Sequence, residues 1–264
     1  MRKPVQLLAI AVAIAGCFRA HAQDARQFVE KAVQAELAAD DADHSHWLYF
    51  EVDRKPGNSL KQWVAETADG NLVRVVEQNG QPVAEQEQRS KMDSFANSKS
   101  EQEKQRRSGR HDDEQAEEML RTLPKAFIWT KTSDENGNTT LHFKPDPEFH
   151  PPDYEARVFA AMEGDMTVND EQHRIACLKG KLIHDVKFAG GLLGYLQAGG
   201  TFDVERRETA KSLWQIVESH IHIQGRALFF KNIGEQEDDV KAKLKQLPDN
   251  INFAQAEKDL LSQR

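Results

Sequence analysis

The side chains that could do chemistry in this 264-residue chain are few, and they come in pairs. His220 and His222 stand two residues apart in SHIHIQ, a spacing that puts both imidazoles on one face of a strand, within reach of one divalent ion. Their neighbours argue for a plainer role. Leu213, Val217, Ile221 and Ile223 make the alternating apolar face, so Glu218, His220 and His222 fall on the wet one, and the pattern favours a surface pair over a metal site. His44 and His46, behind Asp40, Asp41 and Asp43, could gather a cation loosely but also read as a loop running into a strand. Cys177, beside Ile175 and Leu178, reads as a buried, inert thiol, because no basic residue clearly lowers its pKa. His173 and His184 are near it in sequence, and a Cys–His pair would need one of them beside it in space. Asp238 and Asp239 are adjacent in a polar stretch and read as solvated. There is no G-x-S-x-G, H-E-x-x-H, P-loop or G-x-G-x-x-G, which removes the familiar routes to an enzyme. A non-catalytic protein with no metal and no cofactor is expected.

If the chain binds rather than reacts, its apolar positions carry the function. Strand alternation gives Leu48, Phe50, Val186, Phe188, Phe202, Val204, Val217, Ile221 and Ile223 as inward residues that could wall an apolar cavity. The loop around Leu192, Leu193, Tyr195 and Leu196 is unusually apolar for a connection and reads either as a plug over a barrel end or as a gate. At ~25 cal/mol per Å² an acyl chain that buries a few hundred Å² gains several kcal/mol, so such a site needs shape, not special chemistry. The same residues could instead pack against helices and leave no cavity.

The elements that must position these residues begin with an export signal. MRKPVQLLAIAVAIAGCFRAHAQDA has two basic residues, an apolar run from Val5 to Ala15 and then small residues, so residues 1–22 read as a signal peptide. Ala20-His21-Ala22 is an A-x-A cleavage site. Ile14-Ala15-Gly16-Cys17 resembles a lipobox, in which Cys17 would be acylated. A periplasmic or secreted protein is expected, or else a membrane-anchored lipoprotein. Removing residues 1–22 takes Arg2, Lys3 and Arg19 with it and moves the net charge from −8 to −11. That charge argues against nucleic acid and against electrostatic docking to anionic lipid. With only Cys17 and Cys177 present, no intrachain disulfide is expected.

Residues 23–264 read as one domain. An amphipathic helix carries Phe28, Val29, Ala32, Val33 and Leu37. HSHWLYFEVDRK then alternates, with Leu48, Phe50 and Val52 on one face and Trp47, Tyr49, Glu51 and Asp53 on the other. Strands at 61–67, 71–78 and from 81 onward follow, joined by the hairpin turns Asp69-Gly70 and Asn79-Gly80. From about 84 to 125 the chain is dense in charge and reads as an insert of two solvated helices, broken at Ser108-Gly109 and ended by Pro124. Strands resume at 125–131 and 139–144, followed by a short helix over 154–162. A meander runs from Gly164 to Phe188 with a bend or second turn at Lys179-Gly180-Lys181, and further strands cover 201–206, 212–224 and 226–232. GEQEDDVKAKLKQL reads as a polar helix, and the last residues look loosely held. Short connections dictate antiparallel pairing. The expected fold is α+β: about ten antiparallel strands in a strongly curved, unclosed β-barrel covered by helices.

That layout, with one leading helix, two strand meanders and helices inserted between them, resembles the LolA-like and RseB-like group of bacterial periplasmic proteins. The residues that carry the resemblance are Phe149-His150-Pro151-Pro152, Glu163-Gly164-Asp165-Met166-Thr167-Val168, Arg174-Ile175, Asp185-Val186-Lys187-Phe188, the Gly-Gly-Leu-Leu-Gly loop, Trp214 and Arg226-Ala227-Leu228-Phe229-Phe230. It implies an unclosed barrel with a helical lid whose concave face takes acyl chains or lipidated partners. The expected function is a periplasmic binding or carrier protein for a lipid, acyl chain or lipidated polypeptide, working as a monomer with peripheral membrane contact. The alternative is an envelope sensor or interaction module that holds another protein through the 84–125 insert.

Overall fold

The computed structural model describes the backbone of residues 5–191, 194–227 and 236–264, with side chains from Gln23 onward in those ranges except at 226 and 227. Helix α1 (Val5–Ala42) runs through both suggested processing sites into the amphipathic segment, where Ala25, Val29, Ala32 and Val33 are buried. Strands β1 (His46–Lys55), β2 (Asn58–Thr67), β3 (Gly70–Gln78) and the short β4 (Gln81–Pro82) form the expected meander. Asn79 and Gly80 both have positive φ, 52° and 77°, the backbone that matches strand twist in a tight hairpin.

Two helices fill the predicted insert, α2 (Glu85–Ala96) and α3 (Lys99–Ala126). α3 does not break at Ser108-Gly109 and it continues past Pro124. Burial of Leu123, Pro124 and Ala126 fixes its end, and packing of that kind outweighs propensity penalties of this size. Next come β5 (Phe127–Glu135) and β6 (Asn138–Pro145), then the expected short helix, a 3-10 helix over Glu155–Ala161. The rest are β7 (Met162–Asn169), β8 (Ile175–Leu182), β9 (Val186–Phe188), β10 (Gly194–Leu196), β11 (Thr201–Ala210), β12 (Leu213–His222), β13 (Gly225–Ala227), β14 (Gln236–Leu247) and α4 (Phe253–Ser262).

Eleven strands form one antiparallel sheet in the order β4-β3-β2-β1-β14-β12-β11-β8-β7-β6-β5. β9, β10 and β13 make a separate three-stranded sheet. The large sheet has two edges, β4 and β5, so the fold is α+β with an open sheet rather than a closed barrel.

Four expectations are corrected. The polar segment read as a helix is β14, a strand paired on both sides, with β1 and with β12. Intrinsic propensity is a weak prior there against two ladders of backbone hydrogen bonds. The C-terminal residues are not loose: α4 has a reciprocal capping box between Asn252 and Gln255 and buries Ala256 and Leu260. Gly180 is no bend or turn. It lies within β8 directly opposite Gly164, and a Cβ on Gly180 would meet the Phe202 ring at 2.7 Å, so Gly180 makes room for that ring while Gly164 lets the β8 backbone approach. Finally, the meander read as running to Phe188 leaves the large sheet after Leu182, and Val186 and Phe188 lie in β9 of the small sheet.

Candidate functional site

The registers define two sheet faces with different chemistry. Directly opposed residues share a face in an antiparallel sheet. One continuous row runs Leu141, Met166, Leu178, Val204, Ser219, Asp239, Asp53, Leu60 across eight strands. The next runs Phe143, Gly164, Gly180, Phe202, Ile221, Glu237. Both rows are apolar where α1 covers them; the first turns acidic at β14 and β1, and the second at β14. The other face carries His142, Asp165, Lys179, Asp203, His220, Asp238 and Arg54 in register. Acidic side chains alternate there with basic ones or imidazoles, the complementary arrangement expected of a solvated sheet face.

This parity separates the nine proposed cavity residues. Val186, Phe188, Phe202 and Ile223 are buried with α1 in one core, and Ile221 packs against it. Leu48 is buried, and Phe50 packs, in a second core on the opposite face, beneath Met92 of α2 and Ala256 and Leu260 of α4. Val217 is buried and Val204 is half-buried. The nine therefore do not wall one cavity, and helices cover both sheet faces rather than one. Of the gate residues, Tyr195 is exposed and Leu196 is fully buried on β10. Leu192 and Leu193 lie outside the described residues, as do most of the predicted 226–232 strand and the side chain of Cys17.

The acidic end of the α1 face is a constellation that the sequence reading did not assemble. Asp53 of β1 and Asp239 of β14 are directly opposed, and the Oδ1 atom of each is buried without a hydrogen-bond partner. Glu51 stands opposite Lys241 and accepts a hydrogen bond from Gln62. Lys55 bridges Asp53 at 3.7 Å and Glu237 at 3.0 Å. Burial, reinforced by Glu51, Asp53 and Glu237, pushes the Asp239 carboxyl up to about 6 against the pull of Lys241. Burial likewise raises Asp53, with Glu237 and Glu51 adding and Lys55 opposing. One strand over, burial lifts Glu66 to about 7 although it accepts the Trp47 backbone N–H at 3.0 Å. The neighbouring Tyr49 phenol is also raised by burial and by these carboxylates. This face can hold protons at mildly acidic pH, and it presents carboxyls where an acyl chain would need apolar surface.

Across the same face, Glu36 of α1 ties the helix to the sheet. Its Oε2 meets Arg174 at 2.9 Å and Arg206 at 2.5 Å, and its Oε1 accepts the Ile175 backbone N–H at 2.5 Å. Burial alone would raise its pKa, but the two guanidinium groups outweigh that and hold it below 4.5. On the solvated face His220 Nδ1 and His222 Nε2 both approach one Asp238 oxygen, at 2.6 and 2.9 Å. The hydrogen bond to Asp238 raises the His220 pKa above 6.5 and lowers that of Asp238. The pair lies on the wet side, as the alternation implied. Among the described residues no group of three or more His, Cys, Asp or Glu side chains is arranged to hold a metal ion. Cys177 is half-buried rather than fully buried, and burial together with Asp203 pushes its thiol up to about 11, which keeps it protonated and inert. Its near neighbour is Asp203 Oδ1 at 3.7 Å and not a histidine.

α3 completes the picture. Its first turns lean on the β2–β3 turn, through Gln105 to Asn71 and Arg106 to Asp69. Its last turns are buried with α1 and β5. Between these anchors almost every side chain from Glu103 to Glu118 faces solvent. Beyond Glu103, charge is segregated along that span: Lys104, Arg106, Arg107, Arg110 and His111 come first, then Asp112, Asp113, Glu114, Glu117 and Glu118. A cleft of about 380 Å³ runs beside Lys104, Arg107, Ser108 and His111. A second, about 310 Å³, lies where Glu114, Glu118 and Met119 face Asp153 and Glu155. A third of about 470 Å³, between Gln23, Arg26 and Gln27 of α1 and edge strand β5, has Phe127, Ile128 and Trp129 in its wall.

Comparison with protein-family models, with curated proteins and with solved structures finds no match. Among the described residues no helix is long and apolar enough to cross a membrane.

Proposed function

We propose that this chain is an exported, non-catalytic interaction protein that holds a protein partner through the charged middle of α3, on a half-barrel scaffold of the LolA-like and RseB-like kind. The observation that supports it is the division of labour just described. The apolar strand residues are spent on three packed cores, while a long helix pinned at both ends offers about four turns of exposed, segregated charge. Site-specific photo-crosslinking in the periplasm tests it. A crosslinker replacing Arg110 should give a discrete protein adduct, and one replacing Lys179 on the solvated sheet face should not. Equal labelling from both positions would sink the proposal.

Carriage of an acyl chain is the second reading, favoured by the groove floored by Phe127, Ile128 and Trp129 beside α1. An acyl chain laid there would run along edge strand β5 and cover Ile128, since Phe127 and Trp129 are already buried in the core. Native mass spectrometry of gently purified protein decides this one: reproducible extra mass released as acyl-containing molecules supports it, and a bare chain removes it.

A further inference from the structure

We infer that the occupant of the α3 surface is a second copy of the chain, paired antiparallel about a two-fold axis at His111. The inference rests on the reading of α3 as a protein-contact surface and names the partner. Lys104, Arg107, Ser108, His111, Gln115 and Glu118 recur at three- and four-residue steps and so lie on one helix face. That face is basic before His111 and acidic after it, and the two clefts beside α3 lie along the same stripe, one on each side. A two-fold contact must be self-complementary, with residue i meeting j and j meeting i. An axis at His111 provides that: Lys104 meets the acidic end at Glu118, and Arg107 meets Glu114 and Gln115, twice over. Asp153 and Glu155 border the acidic cleft and add charge for the incoming Lys104. Within one chain, among the described residues, Arg107 pairs with the exposed Glu103, at 3.3 Å. Such an exposed i,i+4 pair is weak enough to exchange for an intermolecular one.

The contact follows one helix for about 20 Å, which places it among weak, transient, salt-sensitive interfaces. The sequence alone had led us to expect a monomer.

Sedimentation of the full mature chain tests the proposal. At about 100 µM and ~50 mM salt the wild type should contain dimer that dissociates toward ~500 mM salt. The double reversals Lys104→Glu/Arg107→Glu and Glu114→Lys/Glu118→Lys should each weaken self-association on the order of a hundredfold, four exposed pairs counting a few-fold each. An equimolar mixture of the two variants should associate again, because each now complements the other. A wild type that stays monomeric at low salt overturns the pairing and leaves the α3 contact reading to the crosslinking result. Dimers that survive both reversals also overturn it, since they use another surface.

Discussion

Replacing Asp239 with asparagine should stabilise the protein, and more so at neutral than at acidic pH. In the native sheet Asp239 faces Asp53 directly and shares its surroundings with Glu51 and Glu237, against Lys55 and Lys241. Leu60 and Gln62 of β2 and Val204 and Ser219 of β11 and β12 flank the opposed pair on the same face and bring no carboxylate of their own. Its carboxyl is raised from 3.8 to about 6. A carboxyl whose folded-state pKa is raised contributes stability that is fully present below its unfolded pKa and lost as pH rises through the folded value. The loss therefore runs from about pH 4 to pH 6. About two pH units at ~1.36 kcal/mol each set an upper bound near 3 kcal/mol, reached above pH 6. Asparagine keeps the shape and removes the charge. Its gain should be about twice as large at pH 8 as at pH 5, since roughly half the loss is already incurred at the lower pH.

Urea titrations of both proteins at about pH 5 and pH 8 measure this directly as a shift of midpoint at constant slope. A variant that is less stable than wild type at pH 8, or that gains equally at both pH values, would refute the reasoning. The first result would mean that the Asp239 carboxylate makes a favourable contact that outweighs its opposition to Asp53. The second would mean that the gain comes from packing and has nothing to do with ionisation. The three other raised carboxyls, Asp53, Glu66 and Asp113 of α3, act in the same direction. Glu36 acts in the opposite one: its lowered pKa gives stability present above 4.5 and lost as pH falls through the folded value. His220, raised by Asp238, adds stability below 6.5 that is lost as pH rises. These shifts together put the stability maximum of the wild type at mildly acidic pH.

Glu36→Gln should cost about 3–5 kcal/mol, because it leaves Arg174 and Arg206 shielded with no anion between them, and a thermal melt reads the loss. Gly180→Ala should destabilise by about 1–3 kcal/mol, since its Cβ would overlap the Glu163 carbonyl at 2.3 Å and the Phe202 ring; combining it with Phe202→Leu should recover only part of this, because the carbonyl clash remains. Asn252→Ala should remove about 1 kcal/mol of capping from α4, seen as faster hydrogen exchange at Leu260 with little change in the α1 core.

The hairpins were legible because the information for them is local. Asn79-Gly80 and Asn136-Gly137 sit at positive φ as such dipeptides do, and each fixes the register of the two strands it joins. The alternation in β1 was legible too, down to the separation of Leu48 and Phe50 from Glu51 and Asp53. What could not be read was which face of β1 continues the face of β11 and β12. That depends on β14, whose sequence QEDDVKAKLKQL offers no apolar stripe, since one of its faces joins the acidic rows and the other the solvated ladder. A strand with charge on both faces looks like a solvated helix by every local criterion. Only its neighbours decide otherwise: β1 and β12 each present an open backbone edge, and β14 satisfies both. Its one irregularity, Lys243 at φ 56°, falls where the ladder with β1 slips between Leu48 and Phe50, and the extra residue lets Leu247 return to the Leu48 core. The candidate site was hidden for the same reason. Asp53 and Asp239 come from opposite ends of the chain and meet only when the last strand is inserted, so no window of sequence contains them both. The large sheet is consequently complete only once β14 joins the β1–β4 meander to the rest, and this late, non-local pairing is the step that brings the opposed carboxyls together.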